Sequence, residues 1–185
     1  YPNHPYGQQA SPETVATLTR DDLARFHARY YTAANASITL VGDISRDEAA
    51  AIAESIVAGL PKGEAAKLPL PPPQPKGSLV KLAQPASQAH VYIGLPDVER
   101  GNPDFFPLLV GNYTLGGGGF VSRLMKEVRD KRGYAYSVYS HFAPLKQTGP
   151  FQIGLQTKRS QAKDALKVTR EVLTGFLKDG PTEEE

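Results

Sequence analysis

The stretch LGGGGFVSRLMKEVRDKRGYAYSVY, residues 115–139, decides how this chain is read. Gly116 to Gly119 stop one helix and form a joint before the next. Val121, Leu124, Met125 and Val128 then recur at helical spacing, which predicts a helix from about Phe120 to Lys131. Tyr134 to Phe142 is aromatic and apolar and reads as a strand. Arg129 sits one step beyond the apolar stripe at the helix end, and Tyr136 follows on the strand. Two such donors can converge on one point and aim at a peptide carbonyl. Taken singly, Arg129 also reads as a solvated cation favouring a helix C-terminus, and Tyr136 as a core aromatic of its strand.

Working outward, a helix is predicted from about Asp104 to Leu115, with Phe105, Leu108, Leu109 and Tyr113 inward. Ser78–Leu82 and Ala89–Leu95 are strand candidates, as is Phe151–Thr157, which residues 143–150 join to the preceding strand as a hairpin connection. Ser160 is expected to cap a last helix with Ala165, Val168, Val172, Phe176 and Leu177 buried. Towards the N-terminus, the capping pattern Thr19-Arg20-Asp21-Asp22 opens a helix to about Tyr30, with Leu23, Phe26, His27 and Tyr30 on one face. Ser37 to Val41 reads as a buried strand, and Ser45 caps a further helix with Ala49, Ile52, Ala53, Ile56 and Leu60 on one face. Six prolines between Pro61 and Gly77, with the run Leu70-Pro71-Pro72-Pro73-Gln74-Pro75 at their centre, predict an extended spacer. The expected organisation is therefore residues 1–60, a Pro-rich linker at 61–77, and residues 78–185. The fold class is α+β: two partial modules of antiparallel sheet, each covered by helices on one face.

A chain of 185 residues can bury a core of its own. Its net charge of +2 comes from 21 basic and 19 acidic residues, so no single-sign field points to nucleic acid or a charged lipid surface. No apolar run reaches the length of a membrane span. With no cysteine there is neither a disulfide framework nor a thiol nucleophile. The glycine run lacks the Lys-Ser/Thr that closes a phosphate loop, and no strand leads directly into it. His4 is expected in a surface turn with Pro2, Pro5 and Gly7; His27 lies on a helix, and His90 and His141 are in or beside strands. None has a second histidine at a zinc-binding spacing, so no metal is assigned. Asp43 and Glu127 read as a turn residue and a solvated helix residue. Pro181 to Glu185 reads as the cap and acidic first turn of a helix that is cut short, so a piece of a longer protein is expected.

An ordered series of motifs resembles the pitrilysin, insulinase and mitochondrial-processing-peptidase family of zinc peptidases. His4-Pro5-Tyr6-Gly7, Leu18-Thr19 with Asp22-Leu23 and Phe26, Tyr30-Tyr31, Asn35 and Val41-Gly42-Asp43 are similar to the end of the family's first module. Gly117 to Leu124 and Arg129 to Tyr139 are similar to the opening of its second. The family's zinc helix, the inverted H-x-x-E-H, is absent here. The resemblance therefore implies the substrate-binding, non-zinc part of a metallopeptidase, one half of a closed chamber, with zinc in a partner half or an upstream module. It implies that Arg129 and Tyr136 reach the substrate, and that Gly117, Gly118, Gly119 and Phe120 lie beside the peptide. The expected partners are a peptide and a homologous zinc-bearing half or subunit, and the expected compartment is the bacterial periplasm. Two alternatives stay open: a piece of a single-chain zinc endopeptidase, or a peptidase-like structural subunit without proteolysis.

Overall fold

A computed structural model describes residues 1, 3–74 and 76–185; Pro2 and Pro75, placed above in a turn and in the proline run, lie outside the described residues. The chain forms two compact units, Asn3–Leu70 and Pro71–Glu185 with Tyr1.

The first unit is helical. A short helix α1, Pro12–Ala16, precedes α2, Arg20–Tyr30, and α3, Arg46–Val57. Each opens on a reciprocal cap: Ser11 with Thr14, Thr19 with Asp22, and Ser45 with Glu48 exchange side-chain and backbone hydrogen bonds. Ser37–Val41 forms no strand, contrary to the periodicity, and Val41 is 94% exposed. A strand exists through its ladder, and no described segment pairs with this one. For the same reason Ser78–Leu82 is not a strand, and Leu79, Val80 and Leu82 are exposed. The apolar residues Leu23, Phe26, Ile52 and Ile56 of α2 and α3 are exposed as well. Residues after Pro61 are tied down at first: the Pro61 and Lys62 carbonyls accept from Ala33 and Ala34, and Asn35 bonds to both Glu64 and Ala66.

The second unit is α+β, and it carries all the described sheet structure. β1 (Gln88–Pro96), β2 (Ala135–Phe142) and β3 (Pro150–Lys158) form an antiparallel sheet in the order β1-β3-β2. Phe151, Ile153, Leu155 and Thr157 alternate inward along the central β3, the period of a strand with one buried face. The helix α5, Ala162–Asp179, covers that face with Ala165, Val168 and Thr169. It starts after a short 3₁₀ turn, Arg159–Gln161, without the expected Ser160 cap, and Leu177 is exposed where burial was expected.

The other two helical stretches are shorter than their periodicity predicts. α4 spans Phe105–Asn112 and widens into a π-turn, Tyr113–Gly117. A 3₁₀ turn, Gly119–Val121, follows, and buried Ser122 then starts a helical segment that becomes a second π-turn over Met125–Asp130. Ser122 Oγ donates to the Gly119 carbonyl at 2.7 Å, ending the glycine loop and opening that segment. The faces shift accordingly. Leu109, Tyr113 and Val121 are exposed, while Asn112, Leu115, Leu124, Met125 and Val128 are buried.

Asn112 and Ser140 lock α4 to β2. The Asn112 amide donates to the Ser140 carbonyl at 3.0 Å, and the Ser140 hydroxyl donates to Asn112 Oδ1 at 2.6 Å. Gly116 lies beneath this pair. A Cβ there would meet Ser140 Oγ, lie 2.6 Å from the Ser140 nitrogen and 2.7 Å from Leu124 Cδ1. The Ser140 backbone cannot yield without breaking its strand pairing. Gly116→Ala is thus expected to destabilise the fold by about 1–3 kcal/mol, the usual cost of overpacking. Urea unfolding of the variant checks this, and an unchanged midpoint would count against the close approach.

Candidate functional site

The π-turn Met125–Asp130 sets the position of Arg129. Lys131 N–H donates to the Lys126 carbonyl five residues back, so the last turn is wider than an α-turn. The chain then reverses through Gly133, whose φ of 61° belongs to the left-handed region, and Gly133 N–H donates to the Arg129 carbonyl. Arg129 is thereby held at the root of β2.

β2 contains a bulge. Ala135 pairs with Thr157 and Val138 with Leu155, so Tyr136 and Ser137 together face a single residue of β3. The extra residue lets Ala135 and Val138 both be buried while Tyr136 and Ser137 both face outward. Tyr136 is 86% exposed, so it is not a core aromatic.

These two local features bring Arg129 and Tyr136 together. The Arg129 guanidinium carbon lies 5.7 Å from the Tyr136 ring centroid and 5.0 Å from that of Phe120. Arg129 Nη1 also donates to Asp130 at 2.8 Å. Phe120 follows Gly119, whose φ is 60°, and stands exposed on the loop. Gly117 and Gly118 lie further back along it, against Asn112 and Tyr113 respectively.

Three neighbouring basic side chains, Arg123, Lys131 and Arg132, are engaged elsewhere. Glu127 accepts from Lys131 Nζ at 2.5 Å and from Arg132 Nη1 at 2.7 Å, so it is paired rather than simply solvated. Lys131 first, then Arg132, hold its carboxyl below the usual range. Arg123 donates to Glu185 and to the Gly180 carbonyl, and its guanidinium lies 5.1 Å from the Phe176 ring centroid. That pairing holds the Glu185 carboxyl down to about 2. Arg129 differs from Arg123 in standing beside exposed rings.

The described residues do not fit a catalytic zinc. Among the described residues no group of three His, Cys, Asp or Glu side chains could hold a metal ion. The histidines are spread out, each against a tyrosine ring: His4 with Tyr6, His27 with Tyr31, His90 with Tyr92, and His141 with Tyr139. His4 is buried and accepts from Tyr6 N–H, contrary to its expected surface position. Among the described residues no helix is long and apolar enough to cross a membrane.

Sequence reasoning singled out Arg129, Tyr136 and Phe120, which the structure brings together, but not the bulge or the Asn112–Ser140 lock. The run Ala135-Tyr136-Ser137-Val138 breaks the two-residue alternation and was the available signal for the bulge. Asn112, an amide on the inward line of α4, was the signal for the lock.

Comparison with known proteins gives the family of the chain. The chain is 31% identical over 183 residues to an uncharacterized zinc protease of Streptomyces coelicolor, covering 94% of this chain and 39% of that protein. The crystal structure of a peptidase M16 inactive domain from Pseudomonas fluorescens is 41% identical with a TM-score of 0.94, and the match covers 100% of this chain and 45% of that one. The periplasmic protease PqqL of Escherichia coli, 19% identical with a TM-score of 0.67, shares the fold over 96% of this chain and 20% of its own. The present chain thus spans less than half the length of each. Residues 17–185 match the family described as the peptidase M16 inactive domain, and the chain belongs to that family.

Proposed function

We propose that this chain is the substrate-gripping part of an M16-type metallopeptidase, holding an extended peptide for cleavage at a zinc site carried by a homologous half. Zinc there would supply the activated water. The observation that carries the reading is the convergence of Arg129 and Tyr136 on one exposed surface, 5.7 Å from guanidinium carbon to ring centroid.

The chemistry follows from the donors. A tyrosine hydroxyl can donate to the scissile carbonyl oxygen as it gains charge under attack by water. Arg129, already paired with Asp130, is suited to a neutral peptide carbonyl more than to a free carboxylate. The glycine-rich loop, with Gly117, Gly118, Gly119 and Phe120, would form the wall beside the peptide. A periplasmic location belongs to the same proposal, supported by the fold shared with the periplasmic protease PqqL.

The test is peptide cleavage by the full-length protein, alone and mixed with a zinc-bearing homologous half, comparing wild type with Arg129→Ala. Turnover that needs the mixture and falls about tenfold or more in the variant is the expected result. Full turnover without a second chain would place both parts in one polypeptide. The word "inactive" in the family's description suits a second reading, a peptidase-like scaffold. Cleavage insensitive to Arg129→Ala would favour it.

A further inference from the structure

Phe120 has no packing reason to be where it is: it is a phenylalanine 69% exposed on a loop tip. Its ring centroid is nonetheless 5.0 Å from the Arg129 guanidinium carbon, closer than that of Tyr136. We infer that Phe120 is a positioning residue, whose ring holds the Arg129 guanidinium beside Tyr136 so that the shape of the glycine-rich loop sets the peptide grip. The inference rests on the function proposed above and adds to it a role for the loop that acts through Arg129, not only on the peptide.

Three features support it. An arginine side chain has several rotatable bonds, and among the described residues half-exposed Arg129 has only the Asp130 carboxylate, itself half exposed, as a charged partner. One such contact, screened by water, is a weak restraint on direction. A ring face adds a second restraint and leaves guanidinium N–H groups available to a peptide carbonyl. The loop itself is built to aim that ring. Gly119 has a φ of 60°, which few side chains tolerate, and its carbonyl accepts from both the backbone and the hydroxyl of buried Ser122. Phe120 stands in that closed turn, so its direction follows from the backbone.

The experiment is a double-mutant cycle on cleavage by the full-length protein with a zinc-bearing half, using Phe120→Leu, Phe120→Trp, Arg129→Ala and Phe120→Leu/Arg129→Ala. Phe120→Leu is expected to lower kcat/KM about tenfold, and Phe120→Trp, which keeps a ring face, to retain clearly more of it than Phe120→Leu does. In the Arg129→Ala background Phe120→Leu is expected to add nothing. A second readout needs no turnover: the Arg129 Nε–H resonance of this chain should carry a ring-current shift that Phe120→Leu reduces and Phe120→Trp retains. Full additivity of the two substitutions would overturn the positioning role and leave the proposed function standing, with Phe120 acting on the peptide directly. An Arg129→Ala variant that cleaves like wild type would overturn both. An Arg129 resonance indifferent to Phe120 would overturn the positioning role alone.

Discussion

Tyr136→Phe is expected to lower kcat for peptide cleavage about 10²- to 10³-fold in the complex with a zinc-bearing half, the usual cost of one lost oxyanion donor. The substitution removes a single hydroxyl. The ring remains, so its contact with the Arg129 guanidinium is kept and the grip is not disturbed by that route. The side chain is exposed, so no buried partner is left unsatisfied and the unfolding midpoint should not move. A donor that acts only as charge develops on the carbonyl oxygen lowers kcat and kcat/KM together and leaves KM alone. A raised KM at constant kcat would instead assign Tyr136 to ground-state peptide binding. A change below about threefold in both would remove the hydroxyl from the chemistry altogether.

Leu124→Ala should cost the second unit about 2–5 kcal/mol, enough to consume much of the margin of a domain this size. Leu124 is fully buried, in one cluster with Leu115, Val128, Val138 and Ile153. Its Cδ1 occupies the space that the missing side chain of Gly116 leaves free. Truncation would open a cavity directly below the glycine-rich loop. Adding Gly116→Ala would not fill it, because a Cβ there still meets the Ser140 backbone. Denaturant unfolding monitored by circular dichroism gives the cost. A loss below about 1 kcal/mol would mean that the loop collapses into the cavity and that the core around Leu124 is less rigid than its burial implies.

Much of the second unit was legible because its elements carry their own periodicity. β3 alternates along its whole length and pairs on both sides, and its predicted limits, Phe151–Thr157, lie one residue inside the observed ones at each end. The caps at Thr19 and Ser45 were equally readable, since a cap is a contact within four residues. Where the reading failed, the deciding partner was distant or absent. Ser37–Val41 and Ser78–Leu82 have strand composition, but no described neighbour completes a ladder with either. Ideal helical spacing places Val121, Leu109 and Leu177 inward. The turns around the glycine loop, and the limited width of the face that α5 buries, leave them exposed.

The sequence by itself determined the α+β class, the family and the absence of the H-x-x-E-H zinc pattern. Each of these rests on residue types in order along the chain, which need no coordinates. Only the tertiary structure decided that Arg129, Tyr136 and Phe120 meet. That outcome depends on a π-turn and a β-bulge, each of which shifts the chain by one residue against its regular period. Such shifts are set by the packing of Leu124, Val128 and Val138 and by the Asn112–Ser140 lock. A one-residue change of phase reverses which way a strand side chain points, and the energy that fixes it lies in contacts between segments far apart in sequence.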